Sequence, residues 1–214
     1  MTAHPPPGLP ERRPEWLAAA AVPLWIIATA LSAWLDVWVA IGGVALLVSA
    51  LALAWLPHLL RTLLGTSGRI VTLGLAAAGT MGLATYVLFP VAVSIVPGVS
   101  AATSDLYLSF HANRPVWVIG LFLVPVVTAE ELVWRGLVQE AIGRHAGQLA
   151  TVLLTGLVYG LAHILLGSPL LVAVAIACGL YWSALRWQSH SLLPGLIAHL
   201  VWDVLILANP LTGR

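Results

Sequence analysis

Six ionisable residues interrupt three otherwise apolar segments in the second half of the chain, and they are the side chains most able to do chemistry. Glu130, Glu131 and Arg135 lie in the first segment, His163 in the second, and His199 and Asp203 in the third. An ionisable side chain at membrane depth costs about 2.5 to 3.5 kcal/mol on insertion scales, so such residues usually mark a functional site. We therefore expect these residues to form one site.

The spacing in the first segment predicts different partners for the two neighbouring glutamates. On a helix of about 3.6 residues per turn, Glu131 and Arg135 lie one turn apart, with the acid on the N-terminal side that favours an ion pair. Glu130 points about 100 degrees away from its neighbour and needs a partner on another helix. An interior carboxyl without a partner on its own helix is a candidate general base or acid.

The two histidines each have a polar residue one helical turn away. His163 follows Tyr159 by four residues, and His199 precedes Asp203 by four, so each pair is predicted to share one helix face. Imidazole gains and loses a proton near physiological pH, and a phenol or carboxylate nearby can fix its tautomer. The alternative for each histidine is a structural hydrogen bond between two helices, and the alternative for Tyr159 is packing.

The depths of Glu130 and His163 are predicted to match. If residues 144–148 form a tight turn between antiparallel helices, each of the two side chains lies about 21 to 23 Å from that turn. The carboxyl and the imidazole are then at one level in the membrane.

The same residues also offer a set of zinc ligands. Two histidines and one glutamate with an open fourth position form a known catalytic zinc site, which here consists of Glu130, His163 and His199. Each of the three lies on a different predicted helix, however, and the chain has no motif with two histidines paired on one helix. The sequence therefore favours a site that needs no cofactor and leaves zinc as the alternative.

The composition indicates an integral membrane protein. The chain is 60% hydrophobic and only 8% charged, and its mean hydropathy is +0.99, values typical of a protein solvated mainly by lipid. The net charge is +1 and no basic run is present. Nucleic acid is therefore excluded as a partner, because it is bound through clustered cations.

The predicted fold is an all-α polytopic membrane helix bundle of about seven transmembrane helices. A membrane-spanning helix needs about 20 predominantly apolar residues. Seven stretches qualify, at residues 16–35, 37–60, 70–96, 115–140, 149–166, 169–187 and 192–208. We expect residues 97–114 to be a polar connection, residues 16–214 to be one transmembrane domain with its catalytic helices within 115–208, and the proline-rich residues 1–15 to be a disordered cytoplasmic tail.

Arginine placement predicts the orientation of the bundle, because cytoplasmic loops carry the positive excess. If successive helices cross the membrane in alternate directions, six arginines lie on one side: Arg12, Arg13, Arg61, Arg69, Arg144 and Arg186. Arg114 and Arg214 lie on the other side. The N-terminus is therefore predicted to be cytoplasmic and the C-terminus outside. The chain contains no lysine, which favours a bacterial genome and hence a bacterial inner membrane.

Three motifs, in this order along the chain, resemble those of the CPBP intramembrane proteases. Residues 128–136 (TAEELVWRG) are similar to the Glu-Glu-x-x-x-Arg element of that family. Residues 159–163 (YGLAH) are similar to its Phe-x-x-x-His element, and residues 199–203 (HLVWD) to its last element, His-x-x-x-Asn or His-x-x-x-Asp. The family includes the CAAX prenyl endopeptidase of the Rce1 type and the bacterial Abi proteins.

The resemblance implies an intramembrane endopeptidase that cuts a lipidated or membrane-associated peptide or a membrane protein. It implies that Glu130 and His163 activate a water molecule for attack on a peptide carbonyl. His199 and Asp203 would stabilise the resulting oxyanion. The remaining residues of the site, which would shape it, are Glu131, Arg135 and Tyr159.

Two other functions remain open at the level of the sequence. A transporter or channel could use Glu130, Asp203 and the histidines to relay protons or bind a cation, although no inverted repeat is detectable. A noncatalytic immunity or scaffold protein could retain the same fold. Loss of activity in a Glu130→Ala variant separates the enzyme from the noncatalytic protein.

Overall fold

The computed structural model describes residues 15–111 and 115–211. Within these ranges every regular element is a helix, which confirms the predicted all-α fold. The elements are α1 (Glu15–Leu31), α2 (Val37–Trp55), α3 (His58–Leu64), α4 (Gly68–Ile95), α5 (Val99–His111), α6 (Val116–Glu130), a π-helical segment (Glu131–Val138), α7 (Gln139–Gly143), α8 (Gln148–Leu161), a short 3₁₀ turn (Ile164–Leu166), α9 (Pro169–Ser189) and α10 (Leu193–Ala208). The predicted tail lies almost entirely outside the described residues.

Five of the described helices are long and apolar enough to cross a membrane: Val37–Trp55, Gly68–Ile95, Trp117–Gly143, Gln148–Leu166 and Pro169–Ser189. The third of these is one continuous rod made of α6, the π-helical segment and α7. The shorter apolar helices α1 and α10 occupy the two remaining predicted positions. The chain is therefore a polytopic helical bundle.

The prediction of one span over residues 37–60 is wrong at its C-terminal end. Helix α2 stops at Trp55, and the short α3 begins at His58. Pro57 lies between them, and proline both lacks an N–H group and disfavours helical geometry in the residue before it. The chain therefore turns at Leu56 and Pro57 before α4 begins.

Residues 97–114, predicted as a polar connection, contain a helix instead. Helix α5 follows Gly98, whose φ of 85° turns the chain after α4. Within α5 the Thr103 hydroxyl donates to the Val99 carbonyl at 2.8 Å, and the Ser109 hydroxyl donates to the Asp105 carbonyl at 2.9 Å. Such polar residues are typical of loops, but here their hydroxyl groups donate hydrogen bonds to backbone carbonyls of the same helix.

Charged and polar side chains connect several helices at one end of the bundle, which we call the arginine end. His58 of α3 lies 2.8 Å from Glu140 of α7. Arg144 lies 3.5 Å from the same glutamate, and His145 lies 3.6 Å from Glu15 at the start of α1. The N-terminus of α1 and the turn before α8 therefore lie together.

Helix α5 lies at the opposite end of the bundle, which we call the α5 end. Trp38, at the start of α2, donates its indole N–H to the Phe110 carbonyl of α5 at 2.9 Å. The Tyr107 hydroxyl of α5 donates to the Ile206 carbonyl of α10 at 2.8 Å. The start of α2 and the end of α10 are thus held by the same helix.

Helices α8 and α9 pack at backbone distance because glycine faces the contact. A Cβ atom on Gly156 or Gly160 would lie 2.8 Å from the backbone nitrogen of Leu180 or Ile176. The connection between the two helices is short, since Gly167 adopts a left-handed conformation with φ of 76° and the Ser168 side chain caps α9. This close hairpin fixes where the residues after α8 lie.

Candidate active site

The two glutamates lie at a change of helix type. Helix α6 ends at Glu130, and the π-helical segment begins at Glu131. Such segments are rare and occur frequently at functional sites. The change lies at the centre of the bundle, where Glu130 is 7% exposed and Glu131 is fully buried.

Glu130 has its partners on other helices, as its spacing predicts. The Tyr159 hydroxyl of α8 donates to Oε2 of Glu130 at 3.0 Å. Nε2 of His199, on α10, lies 3.8 Å from the same oxygen. The phenol that was expected to pack or to fix the tautomer of His163 therefore binds the carboxylate instead.

Glu131 serves two partners at once. Its Oε1 lies 3.3 Å from Nη1 of Arg135, which is the predicted pair within one helix. The same oxygen accepts a hydrogen bond from Nδ1 of His199 at 2.9 Å. The second contact was not predicted, because nothing in the sequence spacing relates the two motifs.

Arg135 is held between aromatic rings. Its guanidinium carbon lies 4.4 Å from the centre of the Tyr159 ring and 4.9 Å from that of Trp182. Both distances are within the range of a cation–π interaction. Among the described residues no acceptor meets hydrogen-bond geometry with its guanidinium nitrogens, so the ion pair and the rings together stabilise the buried charge.

His163 lies just beyond the end of α8, which corrects its predicted place on a helix face. Its backbone, with φ of −95° and ψ of 2°, is at the transition from α8 to the 3₁₀ turn. Nδ1 lies 2.8 Å from the backbone carbonyl of Tyr159. A carbonyl only accepts hydrogen bonds, so Nδ1 carries the proton and Nε2 of the neutral ring is left as an acceptor.

His199 has the predicted neighbour on its own helix. Nε2 lies 3.5 Å from Oδ2 of Asp203. The imidazole also stacks on Trp182, with ring centres 3.6 Å apart and planes 20° apart. The ring is therefore fixed by a carboxylate on each side and an indole on one face.

Gly195 allows α10 to approach Glu131. A Cβ atom at this position would lie 2.8 Å from Oε2 of Glu131, closer than any ordinary contact. Glycine is thus required one turn before His199 so that the imidazole can reach the carboxylate.

The four candidate catalytic residues and the supporting Tyr159 line one cavity of about 700 Å³. They are Glu130, Tyr159, His163, His199 and Asp203, and most of the remaining wall is apolar. Glu131 and Arg135 lie behind the wall and support it. The structure therefore brings the predicted residues together, five on the cavity wall and two, Glu131 and Arg135, behind it.

Zinc on Glu130, His163 and His199 stays a prediction. No group of three histidine, cysteine, aspartate or glutamate side chains there is arranged to hold a metal ion. The imidazole nitrogen of His199 that faces the cavity is near two carboxylates, at 3.5 Å and 3.8 Å. Nε2 of His199 is therefore close to one carboxylate on its own helix and one on another helical segment.

A model of a known protein family matches most of the second half of the chain. Residues 112–205 match the family described as type II CAAX prenyl endopeptidase Rce1-like. This region is similar to the Rce1-like family. The match confirms the resemblance drawn from the three motifs and supports a membrane protease. No curated protein and no solved structure matches the chain.

The helices that precede the Rce1-like region also hold the site. Ser49 of α2 donates to the Ala129 carbonyl, next to Glu130, at 3.1 Å. Trp25 of α1 is fully buried, and its ring centre lies 6.4 Å from that of His163. Neither helix has a residue that its sequence marks for the site, because single serine and tryptophan residues in apolar helices carry no motif.

Among the described residues, Trp182 contacts the candidate site although no sequence motif includes it. It contacts His199 through stacking and Arg135 through its ring face. A signal in the sequence was its position five residues inside the end of the predicted span 169–187, since tryptophan in membrane proteins prefers the interface.

Proposed function

We propose that this protein is an intramembrane endopeptidase of the glutamic type, which hydrolyses a peptide bond in a membrane-associated or lipidated peptide or in a membrane protein. The observation that carries the proposal is the cavity wall itself. A carboxyl and two imidazoles from three different helical segments face the same space. These are the groups that peptide hydrolysis requires.

Glu130 is the general base in this mechanism. Its Oε2 is occupied by the Tyr159 hydroxyl, so Oε1 is available to a water molecule. Nε2 of His163 is an acceptor and orients the same water. The water oxygen attacks the peptide carbonyl carbon, its proton moves to Glu130, and that proton is later delivered to the leaving amine.

His199 stabilises the oxyanion of the tetrahedral intermediate. In its protonated form the ring donates through Nδ1 to Glu131 and presents an Nε2–H group to the cavity. Asp203, at 3.5 Å, favours the proton on Nε2. A carboxylate accepts hydrogen bonds, so Asp203 acts on the oxyanion through His199.

No metal ion enters the proposed reaction. Each step is assigned to a side chain of the cavity: proton transfer to Glu130, orientation of water to His163 and charge stabilisation to His199. The hydrogen bond from Nδ1 of His199 to Glu131 and the position of Asp203, 3.5 Å from Nε2, support the role of His199.

The arginine end of the bundle is proposed to face the cytoplasm. Arg61 and Arg69 flank the connection from α3 to α4, and Arg144 lies in the turn before α8. The N-terminus is then cytoplasmic and the C-terminus outside, in a bacterial inner membrane. A phosphatase that is active only outside the cytoplasm, fused after the last residue, should be active; an inactive fusion at normal expression would reverse the orientation.

The Glu130→Gln variant tests the proposed function. It keeps the shape of the side chain but removes its ability to accept a proton, so cleavage of a membrane-protein substrate should fall at least about 100-fold. Glu15→Gln is the matched control, because Glu15 lies at the arginine end, far from the cavity. Both variants should elute as the wild type does in detergent. Turnover of Glu130→Gln near the wild-type rate would reject the glutamic mechanism.

A further inference from the structure

Among the described residues, one hydrogen bond of ordinary length holds the ring of His199. Nδ1 donates to Oε1 of Glu131 at 2.9 Å. Nε2 lies 3.5 Å from Asp203 and 3.8 Å from Glu130, beyond the roughly 2.7 to 3.2 Å of an N–H···O hydrogen bond. A single bond at Nδ1 leaves the ring free to tilt about that bond and to turn Nε2 toward either carboxylate. A further contact is therefore needed to fix the plane of the imidazole.

Trp182 of α9 supplies that contact. Its ring centre lies 3.6 Å from that of His199, and the two planes are 20° apart. The imidazole cannot tilt toward the indole without displacing it, because the two rings are already in van der Waals contact. Stacking thus fixes the plane of the imidazole, and the bond to Glu131 fixes its direction within that plane.

The indole is itself held by three other side chains. It is 1% exposed, and its Nε1–H donates to Sδ of Met81 on α4 at 3.2 Å. Edge-to-face contacts join it to Tyr159 and Trp202, with ring centres 6.2 Å and 6.3 Å away. Because its own position is fixed, Trp182 presents a rigid surface to the imidazole.

The indole face also meets the charge that the mechanism places on His199. Oε1 of Glu131 already lies 3.3 Å from Nη1 of Arg135, so a protonated His199 is the second cation beside one carboxylate oxygen. The guanidinium carbon of Arg135 lies 4.9 Å from the centre of the Trp182 ring, and the imidazole stacks on the same ring system. The face of an aromatic ring is negative and attracts cations. An aliphatic side chain would fill the space without this stabilisation.

We propose that Trp182 is a positioning residue of this active site: its indole holds the imidazole of His199 so that Nε2–H points at the developing oxyanion, and its face stabilises the imidazolium. The proposal rests on the proposed protease function and extends it to a residue of α9 that lies outside the three motifs. Trp182 acts through His199. Its loss should therefore slow the chemical step more than it weakens substrate binding.

Two substitutions of Trp182 separate the aromatic face from the apolar volume. Full-length protein in detergent is assayed with a quenched fluorogenic peptide, selected from a library for cleavage by the wild type. We expect Trp182→Leu to lower kcat about 10- to 50-fold, less than the loss of an oxyanion donor itself, with KM changed less than about threefold. Trp182→Phe, which keeps an aromatic face, should retain kcat within about fivefold of the wild type. Equal losses in the two variants, or a loss that lies mainly in KM, would overturn the proposal.

Leu185→Ala controls for damage to the core. Leu185 is a buried residue of α9, three positions after Trp182, and it lies outside the described lining of the cavity. Its truncation should lower the melting midpoint, since large-to-small changes in a core cost stability, but kcat should stay within about twofold of the wild type. If kcat falls in proportion to the melting midpoint in Leu185→Ala and Trp182→Leu alike, the role of Trp182 is structural only and the proposal fails.

The position of the His199 ring is measured without cleavage, so that the two proposals fail separately. In protein with isotope-labelled histidine, the Nδ1–H group that donates to Glu131 should give a sharp NMR signal, which His199→Gln identifies by its absence. The signal should persist in Trp182→Phe and broaden or vanish in Trp182→Leu, where the ring is free to tilt. A wild type that cleaves none of the library peptides would count against the proposed function alone. An equally sharp His199 signal in Trp182→Leu would overturn the positioning role.

Discussion

Nδ1 of His199 donates a hydrogen bond to Oε1 of Glu131 at 2.9 Å, across the contact between α10 and the π-helical segment. The bond fixes the ring so that Nε2 faces the cavity, where Glu130 and Asp203 lie. Two adjacent glutamates thus have separate positions, one behind the imidazole and one beside the substrate space. The rear glutamate also lies 3.3 Å from Arg135, so one carboxylate oxygen contacts both the guanidinium and the imidazole.

Glu131→Gln should lose both stability and activity. The amide leaves Arg135 as a buried charge without its counterion, and removing one member of a buried pair costs about 3 to 5 kcal/mol. A thermal melt in detergent should show a clearly lower midpoint than the wild type. Glu140→Gln, which breaks a pair at the arginine end with partly exposed partners, should shift the midpoint little. If Glu131→Gln melts at the same temperature as the wild type, the ion pair does not stabilise the protein.

Tyr159→Phe should slow cleavage in a protein that still folds. The variant loses only the hydroxyl that donates to Glu130, and a hydrogen bond to a charged group contributes about 1.5 to 3 kcal/mol. We expect kcat to fall about tenfold, at the lower end of that range, since phenylalanine is usual in the corresponding family motif. Tyr86→Phe, which loses a hydroxyl bond to the Asn209 carbonyl, should keep the wild-type kcat. An equal loss in both variants would indicate a general packing effect.

The sequence predicted the helical bundle and the residues of the site because both depend on local patterns. Apolar runs identify spans, and ionisable residues within them are conspicuous. The intrahelical pairs Glu131–Arg135 and His199–Asp203 follow from spacing alone. Contacts between helices do not, since the bond from Tyr159 to Glu130 depends on how α8 packs against α6.

The departures from the predicted helices have local causes that periodicity does not detect. The change to π-helix after Glu130 alters the direction of the following side chains, and nothing in TAEELVWRG indicates it. His163 lies after the end of α8, where a 3₁₀ turn and the left-handed Gly167 lead into α9. Helix α5 was missed because its Ser, Thr and Asp residues are typical of loops as well.

Gly195→Ala should destabilise the protein by displacing Glu131. The new methyl group would lie 2.8 Å from Oε2, so α10 or the carboxylate must move, at a cost of about 1 to 3 kcal/mol. Activity should fall as well, because the bond from Glu131 orients His199. Gly79→Ala, on α4, is the control, since a Cβ atom there meets nothing within 4 Å. Equal melting midpoints for the two alanine variants would show that the approach of α10 is not tight.

Removal of metal ions should leave activity intact. A zinc enzyme loses its metal to strong chelators and regains activity when zinc is restored. In the mechanism proposed here the reaction depends only on the protonation of Glu130 and the two histidines, so cleavage should survive exhaustive treatment with EDTA or phenanthroline. Elemental analysis of active protein should find well under one zinc per chain. Stoichiometric zinc that is lost together with activity, and restored with it, would instead make Glu130, His163 and His199 its ligands.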